Sequence, residues 1–174
     1  MTVAPRTTVH PFLRSSAPES TGADFSGGTM RIEPHHVGIC VSDLEASLRF
    51  WRDGLGFEAT TTPSVGSEWS DALEIGGEIE FTATFLKKDG FEFELLNYAH
   101  PAPTGSPSAT RLQRGFTHFA VTVDDLDGVI DHLVAHGGSV VEGTRTRIGE
   151  GAWATELVFI ADPDGVRVEL MKFG

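Results

Sequence analysis

Residues 35–58 read HHVGICVSDLEASLRFWRDGLGFE, and residues 115–139 read GFTHFAVTVDDLDGVIDHLVAHGGS. Laid over each other, His36 meets His118, and Val37, Ile39 and Val41 meet Phe119, Val121 and Val123. Asp43-Leu44 meets Asp125-Leu126, and Gly56 meets Gly138. A second repeat places Asp89-Gly90-Phe91-Glu92-Phe93-Glu94-Leu95 over Asp164-Gly165-Val166-Arg167-Val168-Glu169-Leu170. Each half therefore reads as a strand with a His, a helix, further strands, and a last strand with a Glu. Two copies make a paired-module domain and not a solenoid.

Alternation along the strands assigns faces. Val37, Ile39 and Val41 point one way, and His36, Gly38 and Cys40 the other. Phe91, Phe93 and Leu95 share a face opposite Glu92, Glu94 and Leu96. The helix after Ser42 or Asp43 carries Leu44, Leu48, Trp51 and Leu55 at helical spacing and stops at Gly54 and Gly56. In the second half, Asp124 or Asp125 caps a helix with Leu126, Val129, Ile130, Leu133 and Val134, stopped by Gly137-Gly138. The expected strands are 30–41, 57–63, 72–86 and 91–98, then 116–123, 139–144, 153–160 and 166–171. The fold class is α+β, with modules at 30–98 and 116–174 joined by a Pro/Gly/Ser linker at 99–115. Residues 1–29 show no period and read as a flexible tail.

Of the 174 residues, 40% are apolar, enough for one domain with a real core. A net charge of −12 argues against the basic face that nucleic acid or an anionic membrane surface requires. No apolar run is long enough to span a bilayer, and the N-terminal residues lack a signal-peptide pattern. The single cysteine, Cys40, has no internal disulfide partner, so a reducing compartment, the cytoplasm, is expected.

The His and Glu of each half lie on the face away from the helix. If the halves pack side by side about a pseudo-twofold axis, His36, Glu94, His118 and Glu169 converge. Two imidazoles and two carboxylates suit a divalent cation, whose charge offsets theirs. His35 is turned off that face and His100 lies past its strand, so both read as structural. Cys40 lies on the ligand face as a small packing residue.

These motifs resemble the vicinal oxygen chelate superfamily, which includes glyoxalase I, methylmalonyl-CoA epimerase, extradiol dioxygenases and drug-resistance proteins. The resemblance rests on HHVGICVSDL at 35–44, GFTHFAVTVDDL at 115–126, FEFELL at 91–96 and DPDGVRVEL at 162–170. It implies two βαβββ modules whose sheets form a cup, with helices on the outer face. It maps the metal ligands onto His36, Glu94, His118 and Glu169. One divalent ion per site is expected, from Ni, Co, Zn, Mn or Fe, with a homodimer as the assembly.

The chemistry implied is that of a lyase or isomerase of the glyoxalase I or epimerase kind. It moves a proton through an enediolate or enolate of a small substrate with two chelating oxygens. Glu94 and Glu169 are then both ligands and candidate bases. The competing readings are a non-catalytic binding protein of the resistance type and an iron-dependent extradiol dioxygenase. Trp69, Phe81, Phe85 and Trp153 are candidate pocket walls, and Arg111, Arg114 and Arg147 candidate anion holders.

Overall fold

A computed structural model describes residues 23–25, 28–30 and 32–174. It comprises two units, Met1–His35 and His36–Gly174. In the first, β1 (Ala23–Phe25) pairs antiparallel with β2 (Gly28–Met30). The rest of the segment read as a flexible tail lies outside the described residues.

The second unit holds both modules. The first runs β3 (Val37–Val41), α1 (Leu44–Leu48), a π-helical turn (Arg49–Gly54), β4 (Glu58–Ala59), β5 (Ser64–Val65), β6 (Glu80–Lys88) and β7 (Phe91–His100). The second runs β8 (Phe119–Thr122), α2 (Leu126–Ala135), β9 (Ser139–Val140), β10 (Thr146–Ile148), β11 (Thr155–Ala161) and β12 (Arg167–Phe173). Each module forms its own five-stranded mixed sheet. The orders are β3-β7-β6-β4 with β5 on β6, and β10-β11-β12-β8 with β9 on β11. In both, the first and last strands pair in parallel.

Several boundaries differ from the sequence reading. The first strand is Val37–Val41 and not 30–41, because Pro34 has no N–H to donate and keeps its neighbour from regular pairing. Of the stretch 72–86, only Glu80 onward is strand. The part before it turns at Glu74 and Gly77, both at positive φ. Arg147, expected in a loop, sits on β10. His100, expected in the linker, ends β7 opposite Glu80.

The helix caps hold as read. Asp43 accepts a hydrogen bond from the Ala46 N–H, and Asp125 accepts one from the Gly128 N–H. The π turn was not foreseen. It widens the helix so that two consecutive aromatics, Phe50 and Trp51, are both fully buried.

One apolar core unites the modules. Ile39, Val41, Trp51, Phe93 and Leu95 pack in the same cluster as Leu126, Leu133, Val158, Ile160, Val168 and Leu170. Phe119 bridges the halves, 4.9 Å from Phe93 and 6.1 Å from Trp51 between ring centroids. Each large side chain so buried contributes roughly 1.5–3 kcal/mol. The oily faces of both sheets, together with the helices, thus meet in a common interior. A smaller cluster, Ile79, Phe81 and Ala83 with Val65, Leu73, Phe85, Leu96 and Tyr98, lies on the other face of the first sheet. Among the described residues, no helix is long and apolar enough to cross a membrane.

Glycines let the two helical segments approach. A Cβ on Gly54 would lie 3.1 Å from Leu133 and 3.2 Å from His136. One on Gly138 would lie 2.7 Å from Phe50, 2.9 Å from the Leu133 carbonyl and 3.0 Å from Ile160. Gly138→Ala should therefore destabilise the protein by about 1–3 kcal/mol through overpacking. Urea unfolding should show a lower midpoint with an unchanged slope.

Candidate metal centre

His36 stands just before β3, and the parallel register sets Gly38 beside Glu94. This brings His36 Nε2 to 3.2 Å from Glu94 Oε2. The second module repeats the arrangement. Ala120 is beside Glu169, and His118 Nε2 lies 3.1 Å from Glu169 Oε2. Both imidazole side chains are about a third exposed, and both carboxylates lie deeper. Ile39, Phe93, Val168 and Leu170 turn into the shared core. The two His/Glu pairs therefore occupy the opposite face of each sheet.

An aromatic ring completes each pair. Phe85 stands opposite Glu94 on β6 and meets the His36 ring edge-on, 5.3 Å away at 86°. Phe159 stands opposite Glu169 on β11 and meets the His118 ring at 5.5 Å and 78°. Phe85 was read as a rim residue and Phe159 was missed. The signal was present in the matching runs Thr84-Phe85-Leu86 and Val158-Phe159-Ile160, once the hairpins are aligned.

Thr117 was also missed. Its hydroxyl lies 3.0 Å from His118 Nδ1. A hydroxyl both donates and accepts. It can donate to Nδ1 while Nε2–H faces Glu169, or accept from Nδ1–H when Nε2 offers its lone pair to a cation. Thr117 thus orients the ring in either state.

Within one chain the four groups form two pairs and not one quartet. Among the described residues, no three His, Cys, Asp or Glu side chains gather into a metal-holding cluster. The expected side-by-side convergence is not what this chain forms by itself. Trp51, Phe93 and Phe119 draw the modules together through their oily faces, which leaves the His/Glu faces outside. The donor types still fit a divalent cation. Each pair offers an imidazole nitrogen and a carboxylate oxygen, 3.2 and 3.1 Å apart, and both are donor types that a divalent ion accepts.

The rim candidates divide. Phe81 is buried and stacked on Tyr98 at 4.8 Å, whereas Trp69 and Trp153 are exposed. Arg111 is committed to the linker, donating to the Thr117 and Ser108 carbonyls. Arg114 and Arg147 are exposed. Cys40 is exposed and not packed inside as expected, and partial desolvation with Asp164 nearby raises its thiol above the ordinary range, which works against a nucleophilic role.

A profile of the Glyoxalase/Bleomycin resistance protein/Dioxygenase superfamily matches residues 33–170, which spans both modules and all four candidate ligands. The chain belongs to that superfamily. Within it, the chain is 31% identical over 140 residues to a probable lactoylglutathione lyase of Synechocystis, covering 79% of this chain and 92% of that one. It is 28% identical over 140 residues to the uncharacterized protein YaeR of Escherichia coli, covering 79% and 94%. A glyoxalase family protein from Bacillus cereus shares the fold, with a TM-score of 0.71 at 18% identity, over 86% of this chain and 99% of that one. The superfamily thus accounts for the duplicated βαβββ architecture. Its named members include lyases as well as proteins of unassigned reaction.

Proposed function

We propose that this protein is a divalent-metal-dependent lyase or isomerase. It moves a proton on a small substrate that presents two neighbouring oxygens. The complete centre is built between two copies of the chain, with His36 and Glu94 from one copy and His118 and Glu169 from the other. The observation that carries this reading is the duplicated His–Phe–Glu arrangement, one half-site per sheet, each on the face turned away from the core.

Two further features support assembly from two copies. β3 and β8 each lie at a sheet edge, and an unpaired edge is a template for another strand. The ligand face of the second sheet is also apolar around its His/Glu pair. Leu157, Phe159, Met171 and Phe173 share that face and remain only half-buried, with exposed Ile148 on the neighbouring strand β10. A second copy covering this face would shelter both the apolar surface and the site.

A divalent ion held by the two imidazoles and two carboxylates supplies Lewis acidity towards oxygens on which negative charge develops. The chain's own residues do the rest. A Glu94 or Glu169 oxygen takes the proton from substrate carbon and returns it to the same or an adjacent carbon. The edge-on Phe85 and Phe159 rings keep the imidazoles in place. The apolar faces exclude water, which strengthens electrostatic interactions within the site.

The test joins elemental analysis with solvent-proton exchange, using thiol adducts of α-ketoaldehydes and acyl thioesters as substrates. About one tightly held ion per chain and deuterium incorporation from heavy water are expected. Glu169→Gln should lower the exchange rate by about a hundredfold or more. Full exchange by Glu169→Gln with metal bound would remove Glu169 as the base. Tight substrate binding by metal-stripped protein, with no exchange in any form, would instead favour a sequestering role.

A further inference from the structure

The C-terminal end of α2 carries a second pair of imidazoles with no part in the proposed centre. His132 and His136 stand one helical turn apart, and their ring centroids are 4.2 Å apart. Each ring meets a backbone carbonyl. His132 Nε2 lies 3.1 Å from the Gly54 oxygen, and His136 Nδ1 lies 2.7 Å from the His132 oxygen. A carbonyl can only accept, so the nitrogen facing it carries the proton. In a neutral imidazole the other nitrogen then holds a free lone pair. Both rings are fixed in a tautomer with one lone pair available, backed by the kind of hydrogen bond that supports metal-ligating histidines.

We propose that His132 and His136 chelate a transition-metal ion of the Zn2+, Ni2+ or Cu2+ class at the surface of the chain. Rings with centroids 4.2 Å apart are close enough for one ion to be shared between them, given Zn–N bonds of about 2.0–2.1 Å. Borderline and softer divalent ions favour imidazole over hard oxygen ligands. The end of a helix, with its partial negative charge, adds to the attraction.

Asp53 lies on the neighbouring π turn but does not join the two imidazoles as a third ligand, because among the described residues no three such groups gather. It precedes Gly54, whose missing Cβ lets the π turn approach His136. Its carboxylate accepts two hydrogen bonds from Arg52, at 2.7 and 2.9 Å. Water completes the coordination shell.

The site is independent of the reading of His36 and His118 and is tested without them. In full-length protein carrying His36→Ala and His118→Ala, titration with Zn2+ should reveal one ion per chain. Cu2+ bound to the same protein should give an electron paramagnetic resonance spectrum with coupling to two imidazole nitrogens. His136→Ala in that background should weaken Zn2+ binding by about tenfold or more and leave one imidazole coupling. His136→Gln keeps a donor for the His132 carbonyl and should give the same loss, which separates ligation from folding. Zn2+ affinity unchanged by both substitutions, or no ion bound in the starting background, would overturn the proposal.

Discussion

A mixed dimer with His36→Ala in one chain and His118→Ala in the other should retain about half the tightly held metal and proton-exchange rate of the wild type. Homodimers of either variant should retain almost none. In the His36→Ala homodimer both sites lack His36, and in the His118→Ala homodimer both lack His118. In the mixed dimer one site lacks both imidazoles. The other combines an intact His36/Glu94 pair from one chain with an intact His118/Glu169 pair from the other. Two different affinity tags isolate the mixed species from cells expressing both variants. Metal content after desalting and exchange in heavy water are the measurements. A mixed dimer as inactive as its parents would mean that each site draws all four groups from one chain, and assembly between copies would be wrong. The expectation rests on the two separate pairs, at 3.2 and 3.1 Å, on sheets joined through their other faces.

Asp162→Ala should be the most damaging single change to stability, at about 3–5 kcal/mol. The Asp162 side chain is 3% exposed. One carboxylate oxygen accepts from the Trp51 indole N–H at 3.0 Å. The other accepts from the Asp164 and Val166 backbone N–H groups at 3.0 and 2.8 Å. Removing the carboxylate leaves three donors without their acceptor, and each buried donor so orphaned costs about 1–3 kcal/mol before relaxation. The contact also ties the modules together. Trp51 belongs to the first and Asp162 to the second, and the same turn holds the first module again where Asp164 accepts from the Ser42 N–H and hydroxyl.

Asp162→Asn preserves the shape, but an amide offers an acceptor on only one of its two arms. Its oxygen can serve the two backbone donors, while its NH2 then faces the Trp51 N–H. A loss of about 1–3 kcal/mol is expected. Burial raises the Asp162 carboxyl above its ordinary value of 3.8, outweighing the hydrogen bonds that pull it down. The folded state then binds more protons than the unfolded state between 3.8 and the raised folded value. This group's contribution to stability is full below that window, falls as pH rises through it, and is level above. The gap between wild type and Asp162→Asn should therefore narrow as pH rises from the ordinary carboxyl value towards neutrality. Urea midpoints across that range check the sign. A gap that widens would mean that the ionised form is the one the folded state prefers.

Much of the architecture was legible because local signals agreed with the final fold. Asp43 and Asp125 cap helices, the π turn that continues α1 ends at Gly54, and α2 ends just before Gly137. The alternation around Ile39, Phe93, Val168 and Leu170 named the buried faces correctly. It also placed His36 with Glu94 and His118 with Glu169, since each pair depends only on strand alternation and a first-to-last strand pairing repeated in both halves. Short elements such as β5 and β10 fall where the sequence reads as loop, and β9 covers only the first two residues of the strand expected at 139–144. They are too short to show a period and exist because neighbouring strands pair with them. The π turn escaped notice because Phe50 and Trp51 do not both fit one face at regular helical spacing.

The sequence by itself determined the duplicated module, the identity of the two His/Glu pairs and the face each occupies, because these follow from chain-local periodicity and from comparing one half with the other. It left open how the halves sit against each other. A strand with one oily and one polar face satisfies its own pattern whether its module packs side by side with its twin or back to back. Only the tertiary structure decided this. Phe119 among Trp51, Phe57 and Phe93, and the carboxylate of Asp162 on the Trp51 indole, are contacts between residues distant in sequence that no local pattern encodes. They hold the modules together through their oily faces and leave the two half-sites apart.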